Sequence, residues 1–511
     1  MRPPNWENGE GPVPVRPAPP RRTTPLPSHF GLAVDPDTIA LDRGRVLMGG
    51  SPLRLLRLTG RAGALVSSWE AGAPVGHRRA EQVLARRLVA SGVFLPRPGP
   101  PGFRAEDVTV VIPIRDRPEQ LQRLLAALKG MQCIVVDDAS TDPGRTRDIV
   151  HRSGGTLVAL TTNSGPAAAR NAGLAQVSTP LVAFVDSDCV PATGWLEPLL
   201  GHFDDPIVAA AAPRIVPLSP LRATALSRYE AVRSSLDRGG GGGLVWPLSR
   251  VPYVPSAALM VRREAAGDSL FDPRLRGGED VDLVWRLVDA GWDVRYEPEA
   301  TVQHDGPRGV GSWLRRRAFY GTTAGPLANR HPRSLVPLQT SAWSAGVWAL
   351  ACARRPLLAG GALAASVLVL ARRLNGLVEE PVTVATRIAA GGTLKSALPA
   401  LHGLTRAWSP ALVVGLCWPR TRRAAAFALV APALGDWCTD RTDLDPLRYA
   451  GLHVADDVAY GAGVWLGCIK ARTLGPLLPR IVFKARVWSS ASLRAQLKDP
   501  GGSVAASPTT V

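Results

Sequence analysis

The chain has 511 residues, 46% of them hydrophobic, and a formal net charge of +18 carried almost wholly by arginine. That length leaves room for about three domains with sizeable cores. A basic balance suits phosphorylated substrates or an anionic lipid surface; no zinc-finger spacing or RNA-binding aromatic motif accompanies it, so nucleic acid is excluded as a partner.

The six cysteines, Cys133, Cys189, Cys352, Cys417, Cys438 and Cys468, are dispersed and form no CxxC. This argues against a disulfide framework or a structural zinc site and predicts reduced thiols in the cytoplasm. Residues 1–28 are rich in Pro and Arg and lack an apolar h-region, which predicts a disordered tail rather than a signal peptide. A small α/β module is predicted over 29–98. Val46, Leu47 and Met48 before Gly49 and Gly50 read as a strand and turn, an Leu-rich run follows to Leu58, and Val83, Leu84, Leu88 and Val89 have helical spacing that stops at Gly92. With Gly49-Gly50-Ser51-Pro52 and Thr59-Gly60, the stretch resembles the PqqD-like fold, a winged-helix-like module. That resemblance implies binding of a ribosomally made precursor peptide, or of a partner carrying it, by strand addition. A structural N-terminal cap is the alternative.

A Pro/Gly linker at 96–102 marks a boundary, and over 107–330 the rhythm becomes strand, helix, strand. VTVVIPI at 108–114 is a continuous apolar strand, and Pro118 opens a helix with Leu121, Leu124, Leu125 and Leu128 on one face. Strands at 134–136 and 156–160 follow, then a helix containing Arg170, Asn171 and Gly173, then LVAFV at 181–185 running into Asp186-Ser187-Asp188. The alternation predicts an α/β fold with a mainly parallel, nucleotide-binding sheet. Two carboxylates one residue apart at a strand's C-terminal end suit a divalent cation that also holds a phosphate, although a turn or helix cap uses the same residues. Glu279 and Asp280 begin an amphipathic helix built on Leu283, Val284, Leu287 and Val288. Five consecutive glycines, Gly239 to Gly243, predict a mobile or unstructured loop.

The ordered motifs VVIPIRDRPEQL, VVDDAS, NSGPAAARNAGL, FVDSD and GGEDVDLVWRL resemble a family 2 glycosyltransferase of GT-A fold. The whole layout is similar to the glycosyltransferases of mycofactocin biosynthesis. The resemblance implies a UDP-sugar donor, Mg²⁺ or Mn²⁺ as cofactor, and a peptide-derived small-molecule acceptor. Pro113, Ile114 and Arg115 would line the nucleoside pocket, and Asp138, with Asp137, would accept hydrogen bonds from base or ribose. Asn163, Gly165 and Arg170 would flank the nucleotide, Asp186 would touch the ribose, and Asp188 with His304 would bind the metal. Asp280 would be the general base of an inverting transfer, and Glu279 would orient the acceptor. A polyprenyl phosphate or cell-envelope glycan as acceptor, or a non-catalytic peptide-binding scaffold, are the alternatives.

The catalytic pattern stops near Leu335, and residues 335–511 are dominated by Ala, Leu, Val, Arg and Trp. Apolar runs at 356–371, 411–418 and 424–434 are each shorter than the ~20 residues a span requires. They predict helices associated with the inner face of the cell membrane rather than a multi-span domain.

Overall fold

The computed structural model describes residues 24–482 together with 13 and 15–18, except 51, 52, 59, 220, 221, 268, 308, 333 and 441. Most of the predicted disordered tail, and Ser51, Pro52 and Thr59 of the PqqD-like signature, lie outside the described residues. Two compact units emerge, each drawn from separated parts of the chain. One takes Gly31–Arg97 with Ser341–Gly392, and the other takes Pro98–Thr340 with Thr393–Ile481 and the segment before Gly31.

In the first of these units, strands β1 (Gly31–Val34), β2 (Ile39–Leu41), β3 (Val46–Gly49) and β4 (Arg54–Arg57) precede helices α1 (Gly60–Glu70) and α2 (Arg79–Ala90) and strand β5 (Phe94–Arg97). β2, β3 and β4 form an antiparallel sheet, and β1 pairs with β5. Val46 and Met48 project from one face of β3, as the period-2 rule requires. They meet Ala371, Leu374, Val384 and Ala385 of the chain's later helices, far away in sequence. Asp42 accepts the Glu379 amide at 3.1 Å, and Arg45 pairs with Glu379.

The second unit is built on a nine-stranded sheet. Its first half is β6 (Val108–Ile114), α3 (Pro118–Ala127), β7 (Gln132–Asp137), α4 (Pro143–Ser153), β8 (Thr156–Ala159), α5 (Pro166–Leu174) and β9 (Leu181–Val185). These four strands are parallel, in the order β9-β6-β7-β8. Both faces of β6 and β9 are covered: Val108, Val110, Ile112, Leu181, Ala183 and Val185 enter one core, Val111, Val182 and Phe184 the other. A strand buried on both sides reads as a continuous apolar run, which is why 108–114 and 181–185 were legible. At about 1.5–3 kcal/mol per fully buried large aliphatic or aromatic side chain, these strands anchor the unit. Gly173 of α5 permits the helix to lie close to the sheet, since a Cβ there would sit 2.4 Å from Val111 Cγ1.

The second half is mixed. β10 (Cys189–Pro191), the short helix α6 (Glu197–Leu200), β11 (Val208–Pro217), α7 (Ala225–Arg233), β12 (Gly243–Leu244), β13 (Ala258–Arg262), α8 (Glu279–Asp289) and β14 (Asp293–His304) complete the sheet. β13 joins β9 antiparallel, and β14 runs parallel to β11 but antiparallel to β10 and β12. The glycine run expected to be unstructured is tied down instead. Gly243 pairs opposite Tyr296, the Tyr296 hydroxyl donates to Gly239 O at 2.7 Å, and Arg250 Nη2 donates to Gly242 O at 2.7 Å. Residues 15–18, inside the segment expected to be disordered, also hold fixed bonds: Ala18 N donates to Ala290 O, and Trp292 Nε1 donates to Arg16 O at 2.6 Å.

Helices α9 (Val310–Thr322) and α10 (Ala324–Arg330) follow the sheet. Further on come α11 (Ala342–Cys352), α12 (Pro356–Leu374), α13 (Pro381–Lys395), α14 (Ala397–Gly415), α15 (Arg422–Thr439) and α16 (Pro446–Ala471). Among the described residues, α12 alone is long and apolar enough by length and composition to cross a membrane. α16 docks against α9 and α10 through glycines. A Cβ on Gly321 would lie 2.1 Å from Tyr460 O, one on Gly463 2.0 Å from Ala318 O, and one on Gly467 2.4 Å from Thr322 O. Only backbone fits at this crossing.

Candidate active site

The parallel half of the sheet delivers its loops to one edge, where strand ends and helix starts meet. β6 ends in Ile114, which is buried, and Arg115, whose side chain is half exposed. Asp116 Oδ1 accepts both the amide and the hydroxyl of Thr141 at 2.6 Å, which locks this turn to the one after β7. Asp137 and Asp138 divide their labour. Asp138 accepts the amides of Ser164 and Gly165 at 2.7 and 2.8 Å, so it fixes the Asn163–Gly165 loop with both oxygens. Asp137 Oδ1 accepts the Ser140 amide at 2.9 Å, while its Oδ2 is buried with no hydrogen-bond partner among the described residues. Such an orphaned acceptor costs stability unless a ligand donates to it. Asn163 is exposed on the loop, and Gly165 adopts φ +90, a backbone that favours glycine.

Arg170 is the centre of the arrangement. It is 3% exposed, its Nη2 donates to Asp186 Oδ1 at 2.6 Å, and its Nη1 donates to Glu279 Oε1 at 3.0 Å. The guanidinium also lies over the Phe271 ring, 5.2 Å from its centroid. One buried cation thus joins the end of β9 to the start of α8. The two carboxylates in turn hold the guanidinium firmly protonated against the cost of burial. The neighbouring Asn171 clamps the approach to α8, donating to Phe271 O and accepting the amides of Leu270 and Phe271.

Asp188 lies beside His304 because β10 pairs antiparallel with β14, setting Cys189 opposite His304. The Asp188 Oδ1 to His304 Nε2 distance is 3.5 Å. Arg117 also pairs with Asp188. Sequence reasoning gave Arg117 no role, although it stands within the RDRPEQL motif.

Asp280 accepts the Val281 amide at 2.8 Å and the Ser256 amide at 3.4 Å. Burial, then the adjacent Glu279 charge, push its carboxyl up to about 6, against the pull of these amides and of Arg170. Beside this edge, Glu230, His304, Trp313, Arg316, Arg317 and Tyr320 line a pocket. Burial, followed by opposing effects from Arg316 and Asp280, sets the Tyr320 phenol above its ordinary range. Glu230 and Tyr320 carried no sequence signal of their own, and Arg316, within the run Arg315 to Arg317, could be read from sequence only as a phosphate contact or as a residue facing water or lipid headgroups. The geometry therefore collects Asp186, Asp188, His304, Arg170, Glu279 and Asp280 at one edge, with Asp137 at the neighbouring strand end and Asp138 beneath the loop.

Residues 109–267 match the model for glycosyl transferase family 2. The chain is 42% identical over 470 residues to the pre-mycofactocin glycosyltransferase of Mycobacterium tuberculosis, covering 90% of this chain and 99% of that protein. It is 25% identical to the glycosyltransferase AglE of Haloferax volcanii, over 42% of this chain and 71% of that one. Among solved structures, the mannosyltransferase PcManGT of Pyrobaculum calidifontis, in complex with GDP-Man and Mn²⁺, aligns with 61% of this chain and 90% of its own. That alignment has 20% identity and a TM-score of 0.35. With the ordered motifs, the mixed sheet and a full-length relative in agreement, the chain belongs to the family 2 glycosyltransferases of GT-A fold, alongside the pre-mycofactocin glycosyltransferase.

Proposed function

We propose that this enzyme transfers a hexose, glucose in the first instance, from UDP-glucose to a hydroxyl of a mycofactocin precursor, inverting the anomeric centre to give a β-glycoside. The observation that carries the reading is the Arg170 bridge, which holds the donor-side Asp186 and the acceptor-side Glu279 on one guanidinium with Asp280 next in sequence. The acceptor follows from the relative's name and its near-complete overlap with this chain.

Asp137 Oδ2 is the acceptor for an N–H of the base, Pro113, Ile114 and Arg115 form the nucleoside wall, and Asp186 receives the ribose. Mg²⁺ or Mn²⁺ fits Asp188 and His304: neighbouring corners of an octahedral shell lie roughly 3 Å apart, a few tenths of an ångström inside the observed 3.5 Å. When bound, the ion would spread the charge developing on the departing diphosphate. Arg117, paired with Asp188 in this structure, would supply a further positive charge for the diphosphate. Asp280 takes the proton of the acceptor hydroxyl as its oxygen bonds to the anomeric carbon and the carbon–phosphate-oxygen bond breaks, releasing UDP. Glu279, pinned by Arg170, orients that hydroxyl.

The 31–97 module is the candidate for recognising a precursor peptide or the partner protein that carries it, by adding a strand to the β2-β3-β4 sheet. Exposed Leu357, Leu358 and Leu368 on α12, with Arg372 and Arg373 at its end, suit the inner face of the membrane, consistent with a cytoplasmic, membrane-associated enzyme. Mass spectrometry after incubation with Mn²⁺, UDP-glucose and the precursor tests the reading, with UDP-galactose and UDP-N-acetylglucosamine in parallel. Hexose on the precursor is expected. Hexose on added polyprenyl phosphate alone would reassign the acceptor to envelope lipids.

A further inference from the structure

The mechanism leaves one cluster of metal-type ligands unused, on the helices that follow the catalytic sheet. His402 of α14 and His453 and Asp457 of α16 each offer a ligand atom, and these atoms lie within 4.8 Å of one another. His453 and Asp457 are spaced i, i+4, which puts them on one face of the helix. No cysteine or DxD motif marks the place.

Asp436 of α15 sits behind the two imidazoles. Its Oδ1 is 3.2 Å from His402 Nε2, and its Oδ2 is 3.0 Å from His453 Nε2. A carboxylate that receives one ring N–H of each histidine leaves the other nitrogen of each as a lone pair, the arrangement that orients histidine ligands around metals. Arg233 also approaches His453 Nε2, at 3.3 Å, but its stronger contact is to Asp436 Oδ2 at 2.8 Å. The carboxylate therefore decides the tautomer.

His453 is 1% exposed, and its Nδ1 has no hydrogen-bond partner among the described residues. It faces Asp457 Oδ2 at 3.7 Å. That is too long for a hydrogen bond, and with Nε2 protonated it sets a lone pair against a carboxylate. Two ligands on a tetrahedral zinc ion, each about 2.0–2.2 Å from it, stand roughly 3.4 Å apart. Asp457 is held for this role: Thr405 Oγ1 donates to its Oδ2 at 2.6 Å, and Arg406 Nε stands 3.7 Å from its Oδ1. His402 is partly exposed, with 22% of its side chain accessible, which leaves an entry path and room for a water as fourth ligand.

We propose that His402, His453 and Asp457 bind a divalent transition-metal ion, zinc by ligand preference, as a second metal site independent of the one at Asp188 and His304. Two imidazoles and one carboxylate, with a fourth position for water, favour Zn²⁺ over Mg²⁺. The site clips α14 to α16 and is structural: no described group of the transfer chemistry takes part in it.

The test uses the untagged full-length chain, stripped with chelator and titrated with Zn²⁺ under metal analysis. Asp188→Ala serves as the background, so that the catalytic site does not contribute. One zinc per chain should be retained. His402→Ala should abolish that retention, and Asp436→Asn should weaken it about 10- to 100-fold. Because a buried variant can misfold, Co²⁺ is loaded in parallel into the Asp188→Ala protein, where visible d–d bands of a four-coordinate ion are expected. A stripped chain that takes up no zinc and gives no cobalt bands would overturn the proposal. So would zinc uptake unchanged by His402→Ala.

Discussion

Two polar clusters lie buried in the catalytic unit, and they are built on opposite terms. At the sheet edge, Asp280 is pushed up to about 6, Asp137 keeps an oxygen without a partner, and Arg170 is stretched between two carboxylates from distant parts of the chain. Along the α7, α9 and α14–α16 seam, the buried acids face cations from neighbouring helices. Glu230 receives Trp313 Nε1 at 2.8 Å and Arg317 Nη2 at 2.9 Å, and Asp456 faces Arg317 Nε at 2.9 Å. Asp436 is held well below the usual carboxylate range by His402, His453 and Arg233, which outweigh its burial. The first cluster keeps acceptor capacity for a substrate, and the second sets acids against cations to hold helices together, with Asp456 Oδ1 and His453 Nδ1 left without a hydrogen-bond partner among the described residues. Substitutions should therefore separate activity from stability.

The largest effect should come from Asp280→Asn. Loss of the base is expected to lower kcat about 10²- to 10⁴-fold, roughly 3–5 kcal/mol, while UDP binding and Tm are retained. Full turnover by the variant, measured under saturating donor, would remove Asp280 from its role. At the seam the pattern should invert: Arg317→Met leaves Glu230 and Asp456 buried without their cation and should cost about 3–5 kcal/mol in denaturant unfolding. Gly463→Ala adds a single methyl, yet that carbon would meet Ala318 O at 2.0 Å, and overpacking of this kind costs roughly 1–3 kcal/mol.

The pH dependence sharpens the contrast. Asp280 must be ionised to accept a proton, and its carboxyl sits near 6, so kcat/KM should be level above that value and fall tenfold per pH unit well below it. Asp436 acts with the opposite sign for the fold. Its folded pKa is depressed below the unfolded value, so its contribution is present above the unfolded pKa and is lost as pH falls toward the folded one. Activity should thus fail at a pH where unfolding curves have hardly moved. The smallest effect belongs to Arg117→Ala, whose side chain is 44% exposed beside Asp188. Removing that competing cation should tighten Mn²⁺ binding by a few-fold at most, about 1 kcal/mol or less by calorimetry.

The parallel half of the sheet was legible because both faces of β6 and β9 are apolar and the turns after them carry the acids. α3 began where Pro118 said it would. The pairing of Arg170 with Glu279, 109 residues apart, has no local signature and needed the folded chain. Asp138 turned out to hold the loop with both oxygens, a use that sequence cannot distinguish from ligand binding. α16 escaped detection because His453, Asp456 and Asp457 interrupt its apolar pattern, and all three are buried. Its docking did leave a trace: Gly321 and Gly325 face Gly463 and Gly467, both pairs four residues apart, the spacing that lets helices approach to backbone contact.

The interleaving of the two units constrains how the chain is made. The face of β3 carrying Val46 and Met48 leaves the ribosome more than 300 residues before Leu374, Val384 and Ala385, which cover it. At about 5–20 residues per second, the early sheet waits on the order of 15–60 s with an apolar face uncovered. During that interval it is a client for a chaperone, and a nascent chain stalled before the late helices is the form most prone to aggregate.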